Sequence, residues 1–200
     1  MPASQSTPRL RLTAVLLAAT LASVAVSQRG LCGGIAGELM QLAGLACIAC
    51  AALGRIWTSA FIAGFKDTSL MQEGPYSAMR HPLYALSLLA MLGVGLATRS
   101  ITITLTLVTA FIAIYRLSAR REDAFLAQAH GEAHAQYRDR LQALWPDLRQ
   151  YRVPESIEVR PRVFWKAFLD AGSLLGLYVL IRFADLLQLA GITPTWLSLP

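Results

Sequence analysis

Long apolar runs without a single charge are the feature that most constrains this chain. Residues 12–28, 82–98 and 100–115 contain no Asp, Glu, Lys or Arg. A helix needs about 17–25 such residues to cross a hydrocarbon core. Charged residues make up 15% of the sequence and hydrophobic residues 55%, whereas soluble domains average about 25% charged. The sequence therefore predicts an integral membrane protein and excludes a disordered chain.

We expect an all-α fold, an integral membrane helical bundle in a single domain over residues 1–200 with about five transmembrane helices. The last span contains Lys166 and Asp170, so a helix lying in the membrane interface is its alternative. The first span follows Arg9 and Arg11 and is also similar to a cleavable secretory signal. The spans are predicted at 12–28, 36–54, 82–98, 100–117 and 163–181.

Basic residues orient these spans, because Lys and Arg accumulate in cytoplasmic loops. Most of the 18 Lys and Arg residues fall before the first span, between the second and third, or between the fourth and fifth. The loops on the opposite side hold Arg29 and Arg99. We therefore predict a cytoplasmic N-terminus and active site and an external C-terminus. Since the basic residues alternate with apolar blocks, they do not indicate nucleic-acid binding.

The first polar segment on the predicted cytoplasmic side covers residues 55–81. Its beginning, residues 56–65 (IWTSAFIAGF), is too short to span and is predicted to be interfacial or re-entrant. A turn is expected at Gly74-Pro75. His81 precedes Pro82, which suits the first turn of a helix, so His81 is placed at a helix N-terminus at membrane depth.

The second polar segment, residues 118–149, is predicted to continue the fourth span as a helix into the cytoplasm. Glu122, Leu126, His130 and His134 recur every four residues and would share one face of that helix. A metal site built from Glu122, His130 and His134 would lack a ligand from a second element, so no metal is expected. The segment contains no glycine-rich phosphate loop, nucleophile elbow or HExxH motif.

Small residues are concentrated in the second predicted span, which favours close helix packing within a membrane. Cys47 and Cys50 lie three residues apart there. We interpret both as small packing residues, because three cysteines in the chain are too few for a disulfide framework or a closed zinc site.

The order of these motifs resembles the isoprenylcysteine carboxyl methyltransferase family and its relatives, the phospholipid methyltransferases. Residues 74–84 read GPYSAMRHPLY at the entry to a span, and a second span and a charged helix follow. That helix carries Glu122-Asp123 and His130-Gly131, and the segment ends near Trp145-Pro146. The upstream residues 54–66 are also similar to the segment that precedes the motif in that family.

The resemblance implies a membrane enzyme that binds S-adenosylmethionine on its cytoplasmic side without a Rossmann sheet. The implied cofactor-binding region is residues 66–84 together with 116–146. Glu122 falls on the family's cofactor-binding glutamate, and residues 68–71 fall on another contacting stretch that matches poorly in sequence. The implied cofactor contacts are Tyr76, His81, Pro82, Leu83, Tyr84, Glu122, Leu70 and Met71.

The implied acceptor is a lipophilic or lipid-linked small molecule, and membrane lipids are the expected surroundings. The family's substrate-contacting arginine would fall on Ser118, so Arg116 and Arg120, two residues on either side, are the expected substrate contacts. Since the sequence reveals no obvious general base, a carboxylate is the favoured acceptor, and a thiol or another small hydrophobic molecule is the alternative. The sequence leaves the oligomeric state open.

Two further functions remain compatible with the sequence. A similar membrane scaffold occurs in sterol-type reductases, which would make the chain an NADPH-dependent oxidoreductase. The second is that of a non-enzymatic membrane scaffold with a basic, lipid-facing helix.

Overall fold

The computed structural model describes residues 27–28, 34–62, 71–157, 159–192 and 197–198. Within these ranges the regular secondary structure is helical apart from one pair of two-residue strands, β1 (Ser27–Gln28) and β2 (Leu197–Ser198), which pair in parallel. The all-α prediction is therefore confirmed. The helices are α1 (Gly34–Ile62), α2 (Pro75–Ala78), α3 (Pro82–Ala97), α4 (Ile101–Arg140) and α5 (Pro161–Leu189), with a 3-10 turn at Leu148–Gln150.

Among the described residues, three helices are long and apolar enough to cross a membrane: Gly34–Ile62, Ile101–Arg140 and Pro161–Gln188. These helices support an integral membrane protein. Helix α3 has the predicted bounds to within a residue but is a shorter apolar helix of 16 residues. The predicted first span lies outside the described residues except for its last two, which form β1 and not helix. Five spans and their orientation stay predictions.

Residues 56–62 do not form a separate or re-entrant element, whereas their interfacial position stays a prediction and residues 63–65 lie outside the described residues. Helix α1 continues without interruption through Ile62. The reason is that its buried stripe continues past Gly54, since Ala51, Thr58 and Phe61 are all buried at helical spacing.

The chain divides into two compact units. Unit 1 comprises Met1–Cys50, Leu88–Ile114 and Ser173–Pro200, and unit 2 comprises Ala51–Ser87 and Tyr115–Gly172. In unit 1, α1 and α3 approach closely where Gly44 faces Gly93. A Cβ atom on Gly44 would lie 2.7 Å from the carbonyl oxygen of Gly93, so the small residues of this span pack as the sequence predicted.

Unit 1 also contains a buried polar network, which we call the unit 1 cluster. The Gln41 side chain donates to the Ala97 carbonyl at 3.3 Å and to the Asp185 carboxylate. Arg182 donates to Gln41 and, at 3.3 Å, to Asp185. Arg99 donates to Gln41 at 2.8 Å and pairs with Glu38. The cluster consists of Glu38, Gln41, Arg99, Arg182 and Asp185.

Candidate functional site

The loop that leads into α3 is built around a glycine in unit 2. Gly74 has a φ of 57°, and a Cβ atom there would lie 2.4 Å from the ring of Phe61. A side chain at this position would therefore be both strained and blocked. The Gly74 N–H donates to the carbonyl of Arg152 at 2.7 Å. This turn directs the buried residues of α2, Tyr76 among them, toward the interior.

The segment after α4 fixes the position of His81. The N–H groups of Arg80 and His81 donate at 3.0 Å to the carbonyls of Gln142 and Ala143. The Arg80 Nε donates to the Leu141 carbonyl at 3.1 Å. These bonds hold Arg80 and His81 immediately before Pro82. Helix α3 begins at Pro82, as the sequence predicted.

A break at Gly131 shapes the polar half of α4. Gly131 has φ 49° and ψ −121°, a conformation that interrupts the helix. In a straight helix, Asp123 and His134 would be about 16 Å apart. In the structure, the His134 Nε2 lies 3.7 Å from the Asp123 Oδ1. The prediction that Glu122, Leu126, His130 and His134 share the face of one continuous helix is therefore wrong, because the chain changes direction at Gly131.

Asp123 is the centre of a charged group that we call the unit 2 cluster: Arg80, His81, Asp123 and His134. The Asp123 Oδ1 lies 3.4 Å from the His81 Nε2, and the Oδ2 lies 3.4 Å from an Arg80 guanidinium nitrogen. His81 is 4% exposed and His134 2% exposed. One carboxylate thus faces two buried imidazoles and a guanidinium.

Two buried atoms of this cluster have no hydrogen-bond partner among the described residues, namely the His81 Nε2 and the Asp123 Oδ1. Their 3.4 Å separation exceeds a normal hydrogen bond. An unsatisfied buried polar group costs about 1–3 kcal/mol. A donor and an acceptor left open side by side therefore indicate a place for a ligand that carries both kinds of group.

Burial lowers the pKa of His81 below its ordinary value, and Arg80 adds to this effect. The carboxylates of Glu122 and Asp123 oppose it. The lowered pKa keeps the imidazole uncharged at neutral pH. Burial likewise raises the pKa of Tyr76, and the Glu122 carboxylate contributes to that rise. Glu122 is therefore within electrostatic reach of both residues.

Aromatic rings adjoin the cluster. The rings of His81, Tyr84 and Tyr115 contact one another edge to face, with centroids 5.1–6.0 Å apart. The Tyr137 hydroxyl donates to the Tyr76 carbonyl at 2.8 Å. Electron-rich ring faces of this kind attract cations.

The structure brings most of the predicted cofactor contacts into this part of unit 2. Tyr76, His81 and Pro82 are buried, whereas Met71, Leu83, Tyr84 and Glu122 are half-buried. Leu70 and the rest of residues 68–70 lie outside the described residues. The expected substrate contacts Arg116 and Arg120 are exposed.

Sequence reasoning missed Asp123, His134 and Tyr115 as members of this site. A glycine inside an otherwise helical pattern was the available signal for His134, because it marks a possible break. Within the described ranges, no group of three or more His, Cys, Asp or Glu residues is placed to hold a metal ion.

The sequence profile of the phospholipid methyltransferases matches residues 35–133. The chain belongs to the phospholipid methyltransferase family. The matched range contains Arg80, His81, Glu122 and Asp123 and ends one residue before His134. Family membership indicates a membrane methyltransferase.

Two relatives carry names from metal resistance. The chain is 35% identical over 184 residues to the cobalt-zinc-cadmium resistance protein CzcN of Cupriavidus metallidurans, covering 92% of this chain and 85% of the relative. It is 32% identical over 157 residues to the nickel-cobalt-cadmium resistance protein NccN of Alcaligenes xylosoxydans xylosoxydans, covering 78% and 73% respectively. No solved structure matches the chain significantly.

Proposed function

We propose that the chain is an S-adenosylmethionine-dependent methyltransferase that acts on a lipophilic acceptor. The observation that carries this proposal is the open pair of the His81 Nε2 and the Asp123 Oδ1. The pair lies in unit 2, inside the range matched by a methyltransferase family. The pair offers a ligand one hydrogen-bond donor and one acceptor, side by side.

The residues present fit the chemical groups of this methyl donor. Its ammonium group needs carboxylates, which Asp123 and Glu122 supply, and its carboxylate needs a cation such as Arg80. The hydroxyls of its ribose both donate and accept, as the His81 imidazole does. Its sulfonium charge suits the ring faces of Tyr84 and Tyr115. When bound, the donor supplies an electrophilic methyl group.

The chain contributes alignment and exclusion of water. His81 and His134 are buried and cover one side of Asp123, whose side chain stays 30% exposed. Orientation of two reactants can account for several orders of magnitude in rate. On this proposal, Leu83, Pro82, Tyr76, Leu70 and Met71 shape the donor site, and the exposed Arg116 and Arg120 contact the acceptor.

The structure also changes the argument about the acceptor. The sequence revealed no base, but His81 and His134 are two buried imidazoles beside one carboxylate. An imidazole held by a carboxylate is a common proton acceptor in enzymes. This arrangement supports a thiol or another acceptor that must lose a proton, in addition to the carboxylate that isoprenylcysteine-type methylation would use.

Calorimetry on the full chain in detergent tests the proposal. We expect wild-type protein to bind S-adenosylhomocysteine, and Asp123→Asn and Glu122→Gln to weaken binding about tenfold or more, which equals about 1.4 kcal/mol. Glu132→Gln is the matched control, since Glu132 is an exposed glutamate on the same helix. Methylthioadenosine lacks the amino-acid tail, so Asp123→Asn should affect its binding much less.

Three results would contradict the proposal. Wild-type protein that is folded but binds no S-adenosylhomocysteine at millimolar concentration would exclude the methyl donor. Thermal stabilisation by NADPH in place of S-adenosylhomocysteine would favour the reductase. An equal loss of S-adenosylhomocysteine affinity in Glu132→Gln and Glu122→Gln would show that the loss comes from general electrostatics and not from a binding site for the methyl donor.

A further inference from the structure

A polar groove in unit 2 shares no lining residue with the unit 2 cluster. Its volume is about 260 Å³. Val153 and Pro154 form its apolar wall. The polar residues that line it are Gln72, Glu73, Ser77, Arg140, Gln150 and Arg152.

Hydrogen bonds fix the walls of this groove. The Gly74 N–H donates to the Arg152 carbonyl at 2.7 Å, and the Arg152 N–H donates to the Ser77 Oγ at 2.8 Å. The Arg140 guanidinium donates to the Gln72 side chain at 3.3 Å. The loop before α3, the end of α4 and the chain after the 3-10 turn are thereby joined.

The groove carries a net positive charge with unused donors. The guanidinium of Arg152 has no hydrogen-bond or ion-pair partner among the residues that the structure describes, and the Arg140 guanidinium hydrogen-bonds to the neutral Gln72. Glu73 is the one carboxylate in the lining. A guanidinium presents several N–H donors in a plane, which matches the oxygens of a phosphate group.

Aromatic residues place the groove at the level of lipid headgroups. The Trp57 indole N–H donates to the Tyr151 hydroxyl at 2.9 Å, and both residues are exposed. Trp and Tyr with one apolar and one polar end concentrate at the interface between membrane and water. Trp57 lies near the end of the apolar helix α1, and Tyr151 immediately precedes Arg152. Arg152 is therefore expected at the same depth.

We propose that this groove binds the phosphate group of an anionic membrane lipid, with Arg140 and Arg152 as the phosphate contacts. The inference does not depend on the proposed methyl donor, since the two sites have no residue in common. It adds a specific headgroup site to the general attraction between basic segments and anionic membranes.

Native mass spectrometry of the full chain with dioctanoyl phosphatidylglycerol tests the groove. We expect wild-type protein to retain the lipid, and Arg140→Gln/Arg152→Gln to lose about tenfold or more in affinity. Glu73→Gln should retain the lipid more strongly, because it removes a negative charge from the lining. Arg152→Gln alone is the milder variant, since its guanidinium makes no bond within the described chain that folding would lose.

Arg138→Gln/Arg149→Gln is the matched control, because both arginines are exposed and neither lines the groove. An equal loss in this control would overturn the proposal in favour of diffuse surface charge. Binding of glycerol 3-phosphate as tight as that of the lipid would overturn the membrane source of the phosphate. Failure of folded wild-type protein to retain phosphatidylglycerol in preference to phosphatidylcholine would overturn the site itself.

Discussion

Each of the two units contains a largely buried group of polar and charged side chains, and the two groups differ in how fully their buried atoms are paired. In the unit 1 cluster, Gln41 bonds to both arginines and to Asp185, and the positive and negative charges balance. In that cluster, the Arg99 Nε is the one buried side-chain nitrogen or oxygen without a hydrogen-bond partner among the described residues. In the unit 2 cluster, an imidazole donor and a carboxylate acceptor that face each other both remain open.

This difference separates a structural network from a ligand site. In unit 1 a single donor, the Arg99 Nε, is open within an otherwise paired network, and such networks fix a packing arrangement. In unit 2 an open donor and an open acceptor lie side by side, and each costs stability until something binds to it. We therefore propose that the unit 1 cluster serves the fold and that the unit 2 cluster is available for binding. Substitutions in unit 1 should change stability, and substitutions in unit 2 should change affinity.

The largest expected effect on stability is that of Asp185→Leu in unit 1. The substitution removes the carboxylate that accepts from Gln41 and Arg182 and leaves the Arg182 charge without its ion-pair partner. Removing one partner of a buried ion pair costs about 3–5 kcal/mol, and we expect the lower end because Arg182 is partly exposed. Thermal unfolding in detergent measures the loss. Asp139→Leu, at an exposed acid in unit 2, is the control.

The affinity for S-adenosylhomocysteine provides the second half of that test. Folded Asp185→Leu should bind S-adenosylhomocysteine as wild-type protein does. If Asp185→Leu instead reduced affinity while leaving stability unchanged, the assignment of a structural role to the unit 1 cluster would be wrong.

An intermediate effect is expected for Gly131→Ala in unit 2. A Cβ atom at Gly131 would meet nothing within 4 Å, so the cost comes only from its backbone conformation. Residues other than glycine held in such a region cost about 1–3 kcal/mol. Gly176→Ala in unit 1 is the matched control, because that helical glycine also has open space around it. The control should be stabilised by about 0.5–1 kcal/mol.

Gly131→Ala should also weaken S-adenosylhomocysteine binding, since a straighter α4 would move His134 away from Asp123. Unfolding and calorimetric measurements on both glycine variants test this. Equal stability and equal affinity in the two would show that the break at Gly131 does not assemble the site.

The smallest expected effect is the pH dependence that comes from His81. The pKa of His81 is lower in the folded protein than in the unfolded chain. At a pH near 6.5, the ordinary pKa of histidine, the unfolded chain therefore binds more protons than the folded protein. Stability is therefore complete above that pH and falls as the pH drops toward the folded pKa. The slope from one proton is at most about 1.4 kcal/mol per pH unit.

Melting temperatures measured between neutral and mildly acidic pH test this prediction. His81→Asn should flatten the profile, and His130→Asn, at a half-buried histidine of the same unit, should not. Identical profiles for wild-type protein and His81→Asn would contradict a buried, uncharged His81.

The sequence by itself determined the helical class, the membrane character and the family motif. Hydrophobic runs and helix starts are local properties, so the entry of α3 at Pro82 and the helical continuation of the fourth span beyond residue 117 were predictable. The RHPLY motif and Glu122 are recognisable in the sequence for the same reason, and their role as donor contacts stays a prediction. The end of α1 was misjudged, because a mixed polar and apolar stretch of ten residues remains ambiguous until its buried face is known.

Only the tertiary structure decided which of these residues lie together in the candidate site. Asp123 is one of two adjacent acids on a charged helix, and no local pattern distinguishes it from a solvated residue. Its role follows from Arg80 and His81, 43 and 42 positions away in sequence, and from the break at Gly131 that returns His134 to it. The pairing of Gln41 with Asp185, 144 positions away, has the same origin. Such contacts depend on chain reversal and packing, which no window of neighbouring residues encodes.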